Sequence, residues 1–531
     1  MSFVYFVVPD HDSGCVCQAA RDAETSQLFV MPAFTHLPLG QRIPDSPHAV
    51  SCSLPTMFDV CGYEEKNPAV IRHLTSGYPR FVVHPFARQL AAHFEKDPAL
   101  QGQRLWLTSS RSIAQRLASH LEKAGAKIFE RDGIHGVSHP ESPETAQRAK
   151  VFLQHLGGFL SSREAEDRLV GLRLLPAPHP EKIFAGDAAA EVKKHLKRAL
   201  PGTSDADILF ASSGMSAIYA AFQAVSELQA PRGRTVWVQL GWLYLDTIEI
   251  LKKFTPAPGD HVYVRDVFDQ EALERIFAKH GHRIAGVVAE LPTNPLIQTP
   301  DVAALADLCR RHGVRLLLDP TIASVFNLDV LRHCDVVTSS LTKYAASEGD
   351  VIAGFAAVNP ASTDAAELRR RIAAALEPLY PRDLARLAAQ IGQADDVLKK
   401  IHANAAKVAE FLTKHPAVKD VFWPLHPASR ENFLRIAQTP DATGGMITFT
   451  LKKLGGLTAF YDKLRLPKGP SFGMKTTLIC PFMYLAHYDL VTTPAGLAEL
   501  AASKLDPDLL RMCVGCEPAD EIIGALDEAL R

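Results

Sequence analysis

From about residue 190 onward, short apolar runs rich in β-branched residues alternate with helical runs, and no other feature narrows the fold so far. MSAIYAAFQAVSEL has helical spacing, TVWVQL and HVYVRDV read as strands, EALERIFAKHG as a helix and IAGVVAEL as a strand. VAALADLCRRHG then reads as a helix, and RLLLDP and DVVTSS as strands. Strands that are apolar throughout must be covered on both faces, so the alternation predicts an α/β chain with a mostly parallel sheet between helices. Ligands of such sheets bind beyond the carboxyl ends of the strands. Polar residues gather there: Glu290 and Asn294 after one strand, Asp319 and Thr321 after the next, Ser340, Thr342 and Lys343 after a third.

The rest of the chain divides around this block. At 531 residues it exceeds one ordinary domain and predicts roughly two to four. Residues 1–75 are strand-poor and punctuated by prolines, the pattern of an arm, with MSFVYFVVPDHD as a first strand. That start lacks the basic n-region of a signal peptide. Residues 76–380 read as a large domain holding an inserted unit at about 100–185: RLWLTSS as a strand, SIAQRLASHLEKAG as a helix ended by glycine, KIFERDG as a second strand. LLPAPHPEK looks like a connector, and 381–531 like a smaller carboxyl-terminal domain with strands MITFTL and LLRMCVG and a closing helix.

A composition of 47% hydrophobic and 22% charged residues with a formal net charge of −2 carries no basic stripe, which argues against nucleic-acid and membrane-surface partners. No apolar run approaches the roughly 20 residues of a membrane span. Nine cysteines, an odd number scattered over a long chain, make no disulfide framework, so a reducing cytoplasm is expected. Cys513 and Cys516 have CxxC spacing but sit on a strand with no second pair, so structural thiols are expected there, and Cys15 and Cys17 are a weaker pair still. With no HExxH either, no metal site is expected.

In SSLTKY, residues 339–344, a lysine stands among hydroxyls at the end of an apolar strand. A loop lysine is ordinarily a solvated cation. Burial, however, disfavours the ammonium form, and a lysine so placed becomes an amine nucleophile. Upstream, ASSGMSAIYAAF puts hydroxyls and a glycine directly ahead of a strong helix, so the free N–H groups of Gly214 and Met215 offer an anion site. Taken alone, SSG is an ordinary N-cap. Neither GxGxxG nor GxxxxGK[ST] is present. An aldehyde for Lys343, a phosphate for Gly214, Met215, Ser340 and Thr342, and a pyridine nitrogen for Asp319 together describe pyridoxal phosphate.

With those motifs in the order SGM, ExPTNP, LDPT, SSLTKY, the chain resembles the Cys/Met-metabolism pyridoxal-phosphate enzymes, the cystathionine γ-synthase group, whose lysine motif S-x-T-K-Y matches Ser340 to Tyr344. RMCVGCE is similar to that family's R-x-S-V-G-x-E, GYPRFVVHP to its Y-S-R-x-x-N-P segment, and HAVSCSLPTMFDVCGYEE resembles its long, fungal-type members. The resemblance implies a fold-type I transferase with a mostly parallel, seven-stranded type of sheet. It implies that Lys343 bonds the cofactor aldehyde and shuttles protons, that Asp319 pairs with the ring nitrogen, and that Gly214, Met215, Ser340 and Thr342 hold the phosphate, with Thr321 beside them. Tyr244 would stack on the ring and act as acid or base, Arg511 would grip the substrate carboxylate near Ser471, and Glu290 and Asn294 would complete the substrate side. Tyr78 and Arg80 would reach the phosphate of a neighbouring subunit, which requires a homodimer or homotetramer.

The implied reaction makes cystathionine from an O-acyl-L-homoserine and cysteine; sulfhydrylase, γ-lyase and β-lyase activities share the same motifs, and a non-catalytic regulatory homologue is the reading of another class. The chain departs from the family where YGGT has become YLDT, which puts Asp246 in place of a small residue, and where Pro320 follows the cofactor aspartate.

Overall fold

The computed structural model describes residues 34–78 and 82–531; MSFVYFVVPDHD, Cys15, Cys17 and Arg80 lie outside the described residues. The strands in chain order are β1 (Arg42–Ile43), β2 (Ser51–Cys52), β3 (Gln103–Thr108), β4 (Lys127–Arg131), β5 (Ile134–Pro140), β6 (Ile208–Ala211), β7 (Val236–Leu240) and β8 (His261–Val264). They continue with β9 (Ile284–Glu290), β10 (Arg315–Asp319), β11 (Val336–Ser340), β12 (Gly354–Val358), β13 (Val418–Phe422), β14 (Met446–Leu451), β15 (Leu478–Pro481) and β16 (Leu510–Cys513).

Seven of them form one sheet in the order β6-β12-β11-β10-β9-β7-β8. The pairs from β11 to β8 are parallel, as the alternating pattern predicts, whereas β12 runs antiparallel to both of its neighbours. Every residue of β7, β9, β10 and β12 is buried. The period of two divides them: Val288, Leu317 and Val336 enter the core on one face, while Val287, Leu316, Leu318 and Val337 enter the core on the other. Each such side chain contributes about 1.5–3 kcal/mol of burial. The parallel register sets Asp319 directly beside Glu290 at the carboxyl edge. Strand β12, GFAAV, is not distinguished by the alternating pattern; it returns antiparallel from the lysine loop and places Gly354 opposite Ser340.

A second, fully antiparallel sheet follows in the order β13-β14-β16-β15. The inserted unit carries a third, β3-β5-β4, packed by helices Arg111–His120, Pro143–Leu156 and Ser162–Gly171. Its central strand β5, IHGVSHP, escapes the sequence pattern because glycine and two histidines interrupt the apolar run. The short β1–β2 strap is tied to the loops around the lysine: Val50 N–H donates to Gly349 O at 2.9 Å, Ser51 Oγ to Pro470 O at 2.5 Å and Leu54 N–H to Lys468 O at 3.0 Å. No helix among the described residues is long and apolar enough to cross a membrane.

The insert meets the main sheet through buried charge. Arg163, 1% exposed, donates to Glu181 at 2.7 Å, to Asp383 at 2.9 Å and to the Asp350 carbonyl at 2.8 Å. Arg382 reaches Glu166 and Asp167, each at 2.7 Å, and Arg386 reaches Asp350 at 2.8 Å. Burial works against the charges of Arg163 and Glu166, and their partners overcome it. Glu166, pushed up by burial, is pulled down to about 2 by His48, the His179 N–H and Arg382.

Candidate active site

At the carboxyl edge of the seven-stranded sheet a cavity of about 760 Å³ is lined by Lys343, Asp319, Thr321, Ser340, Thr342, Gly214, Met215, Tyr244, Glu290, Asn294, Ser471, Arg511 and Tyr78. The structure therefore brings together every described residue that the sequence singles out for the site. What each can do follows from its surroundings.

Lys343 leaves β11 on a short loop. Burial drives its amine well below the usual lysine range, and the Arg511 charge adds to the effect. Its Nζ donates to Ser471 Oγ at 3.3 Å and lies 4.1 Å from the centroid of the Tyr78 ring. Ser471 is held at φ +90°, a left-handed conformation that costs a non-glycine residue about 1 kcal/mol or more. The neighbouring Tyr344, also at positive φ, donates its hydroxyl to Ile322 O at 3.0 Å and accepts from Gly445 N–H at 3.2 Å, which clamps the lysine loop to β14.

Asp319 ends β10 and accepts the Thr321 N–H at 2.8 Å. Burial raises its carboxyl to about 6. Its strand neighbour Glu290 is raised well above the carboxylate range by burial and by Asp319, and accepts the Tyr244 N–H at 2.5 Å. Thr321 braces the next strand, since its Oγ1 accepts the Ser340 N–H at 3.0 Å. Thr342 Oγ1 is taken up by the backbone of Ala353, at 3.3 Å to its carbonyl and 3.1 Å from its N–H.

Helix Gly214–Gln229 begins at Ser213, whose Oγ accepts the Ser216 N–H at 3.2 Å. The N–H groups of Gly214 and Met215 follow that cap at the cavity wall, at the positive end of the helix. A Cβ at Gly214 would stand 2.9 Å from Ser340 Cβ, so only glycine lets helix and strand meet. Arg511, on β16, donates to Asn294 Oδ1 at 3.4 Å, and its guanidinium carbon lies 4.6 Å from the Phe482 ring centroid and 5.4 Å from that of Phe472.

Two findings go beyond the sequence reading. The insert lines the cavity itself: Gln154 Nε2 donates to Asp246 Oδ1 at 2.6 Å, with His155 Nε2 at 3.6 Å from the same oxygen, and Gly157 packs against the Ser213 cap so closely that a Cβ would lie 2.3 Å from its Oγ. The readable signal was the glycine pair ending VFLQHLGG, which marks a helix end but not where it docks. The second is the Tyr78 hydroxyl, which lies 3.0 Å from Ser471 Oγ, a contact that the phosphate role expected of it does not include. The CxxC thiols sit apart in role: Cys513 Sγ accepts the Gly473 N–H at 3.2 Å, and Cys516 Sγ lies 3.8 Å from Val397 O.

The donor set fits pyridoxal phosphate: a buried amine held below its usual range for its aldehyde, a helix amino terminus for its phosphate, and a carboxylate raised by burial for its ring nitrogen. Comparison with known proteins agrees. The chain is 40% identical over 487 residues to the L-2-amino-4-chloropent-4-enoate dechlorinase/desaturase of Streptantibioticus cattleyicolor, spanning 92% of this chain and 97% of that one. It is 27% identical over 625 residues to the cystathionine γ-synthase of Neurospora crassa, spanning 94% and 99%. The crystal structure of Xanthomonas oryzae pv. oryzae cystathionine γ-synthase with aminoacrylate and cysteine matches 65% of this chain and 86% of its own with a TM-score of 0.54 at 23% identity, a likeness of fold. Residues 192–531 match the model of the Cys/Met metabolism PLP-dependent enzymes, and the chain belongs to that family, as an enzyme that uses pyridoxal phosphate.

Proposed function

We propose that the enzyme removes a leaving group from Cγ of an L-α-amino acid, a γ-elimination that needs no thiol. The observation that carries this reading is Lys343, a buried amine held below its usual range between Ser471 and Tyr78. The 40% relative supports it, since the named substrate of that enzyme bears chlorine on C4, which is Cγ.

When bound, the cofactor supplies an electron sink for charge developing at Cα and Cβ. The chain does the rest. Arg511 holds the α-carboxylate with two N–H groups, and Phe472 and Phe482 fix its plane. Asp319 would keep the ring nitrogen charged, Gly214, Met215 and Ser340 would hold the phosphate, and Tyr244 would cover the ring. Lys343 Nζ would take the Cα proton and, once it has given that proton up, a Cβ proton that balances the departing anion, and Ser471 steers the amine through their hydrogen bond. The leaving group departs from Cγ with its bonding pair, and the Cβ–H electrons form the new unsaturation.

A second reading, cystathionine formation from an O-acyl-L-homoserine and cysteine, is supported by the Neurospora relative, which the chain spans almost end to end. In either case we propose a cytoplasmic homodimer or homotetramer. The test is the purified holoenzyme given L-2-amino-4-chloropent-4-enoate alone, and O-acyl-L-homoserines with cysteine, with sulfide and without thiol. Chloride release without thiol is the expected result. Turnover that requires cysteine replaces it with the second reading, and inertness toward all of them removes both.

A further inference from the structure

We infer that Asp246, oriented by Gln154 of the inserted unit, keeps anions away from the place beyond the substrate's Cγ, so that the enzyme takes side chains without negative charge there and adds no thiolate once the leaving group has gone. The inference deepens the proposed elimination and rests on that reading for its consequence, whereas its test reads binding and stands apart from it.

Asp246 is buried, 1% exposed, yet it lines the cavity. It stands in the first turn of helix Leu245–Phe254, two residues after Tyr244, whose N–H is fixed on Glu290, so both belong to one stretch of the cavity wall. Its setting orients the carboxylate without neutralising it. Oδ1 accepts from Gln154 Nε2 at 2.6 Å, and an amide is an uncharged donor. The ionisable neighbour, His155, has its Nε2 3.6 Å from the same oxygen, but burial pushes it toward the neutral imidazole although Asp246 works the other way. Lys252 and Lys253, farther along the helix, pair with Glu249 at 3.3 and 2.9 Å. Among the described residues no lysine or arginine pairs with Asp246, and no donor meets its Oδ2.

A buried charge left in this state raises the energy of any anion beside it, because the cavity screens less than water does. The other basic residues of the wall do not reverse the sign: Arg88, Arg104 and Lys150 are balanced in number by Glu95, Glu141 and Glu164. A thiolate is therefore opposed on entry, and a leaving group that has departed as an anion is driven to solvent and hindered from returning. An uncharged side chain meets no such opposition.

The test compares L-glutamine with L-glutamate, which are equal in size and differ beyond Cγ in charge. Each is titrated into the holoenzyme, with binding read from the cofactor's visible band and by equilibrium dialysis. The wild type is expected to bind glutamine more tightly by at least about tenfold, the effect of one uncancelled like charge in a poorly screened cavity. Asp246→Asn keeps the shape and the bond from Gln154 and removes only the charge, so the preference should collapse. Gln154→Lys leaves Asp246 in place but gives it a cation, and should weaken the preference too, which keeps the inference falsifiable if the asparagine variant fails to fold. Equal binding of the two amino acids by the wild type overturns the inference. So does a preference unmoved in a folded variant, the result that a merely structural Asp246 would give. With a substrate that the wild type eliminates, added cysteine should yield a thioether in Asp246→Asn and none in the wild type. A thioether from the wild type removes the elimination reading and this consequence of it, while the binding ratio still decides what Asp246 does.

Discussion

The catalytic edge and the seam between insert and sheet both bury several charged groups, yet they treat them in opposite ways. At the edge, Asp319 and Glu290 lie side by side and are raised, while Lys343 is lowered beside Arg511: groups of like sign face each other, and Arg511 only partly offsets the rise at Glu290. At the seam, Arg163 is saturated by Glu181, Asp383 and Asp350, and Glu166 is drawn down to about 2. Paired burial builds the wall, and unpaired burial is reserved for what binds. Folding pays to desolvate each charge in both places; only at the edge is the compensation left for a ligand's phosphate, carboxylate and ring nitrogen.

The largest expected effect lies on the unpaired side. Lys343→Ala should lower turnover by at least about a thousandfold and remove the visible band of lysine-bound cofactor, checked by absorbance and steady-state rates. A retained band would mean that another amine bonds the aldehyde.

Stability should respond in the reverse order. Arg163→Ala takes the cation they share from Glu181 and Asp383, leaving Asp383 with no cation, and should cost about 3–5 kcal/mol, read as a lower urea midpoint of the cofactor-free protein. Lys343→Met removes an amine that burial disfavours, so the same midpoint should stay or rise. If both variants destabilise alike, the contrast between the two regions is lost.

Arg511→Lys gives a smaller loss. It keeps the charge but loses the planar two-point grip and the stack between Phe472 and Phe482, so kcat/KM should fall by at least about tenfold, roughly 1.4 kcal/mol, with the cofactor spectrum intact. An unchanged KM and kcat would remove Arg511 from the substrate site.

The two regions also differ in how far the sequence displays them. The edge is legible because strand ends are: β9, β10 and β11 read as apolar runs, and Glu290, Asp319 and Ser340 simply follow them. Strand β12 is not, since five apolar residues carry no sign of direction, and its antiparallel course is set by the short return from the lysine loop. Gln154 and Gly157 were hidden for another reason. Their partners Asp246 and Ser213 lie 92 and 56 residues away, and a surface helix shows only that it has a buried face. The Arg163 network has no motif at all; each member reads as one more surface charge until burial is known.

The finest test of the comparison is the acid side of stability in the cofactor-free protein, where the two regions carry opposite signs. Asp319 sits at about 6 when folded against about 3.9 unfolded, so between pH 4 and 6 the native state holds the extra proton and stability falls as pH rises. Glu166 sits at about 2 when folded against about 4.3 unfolded, so its contribution is complete above about pH 4.3 and is lost as pH drops toward 2. Urea midpoints measured against pH should show Asp319→Asn weakening the decline between 4 and 6, with the buried Glu290 keeping its share, and Glu166→Gln flattening the acid limb below 4. Cofactor binding should also abolish the Asp319 decline, because a positive ring nitrogen beside that carboxylate favours its ionised form. An Asp319→Asn profile identical to wild type would place a cation on that carboxylate before any ligand arrives, and the edge would then be paired like the seam.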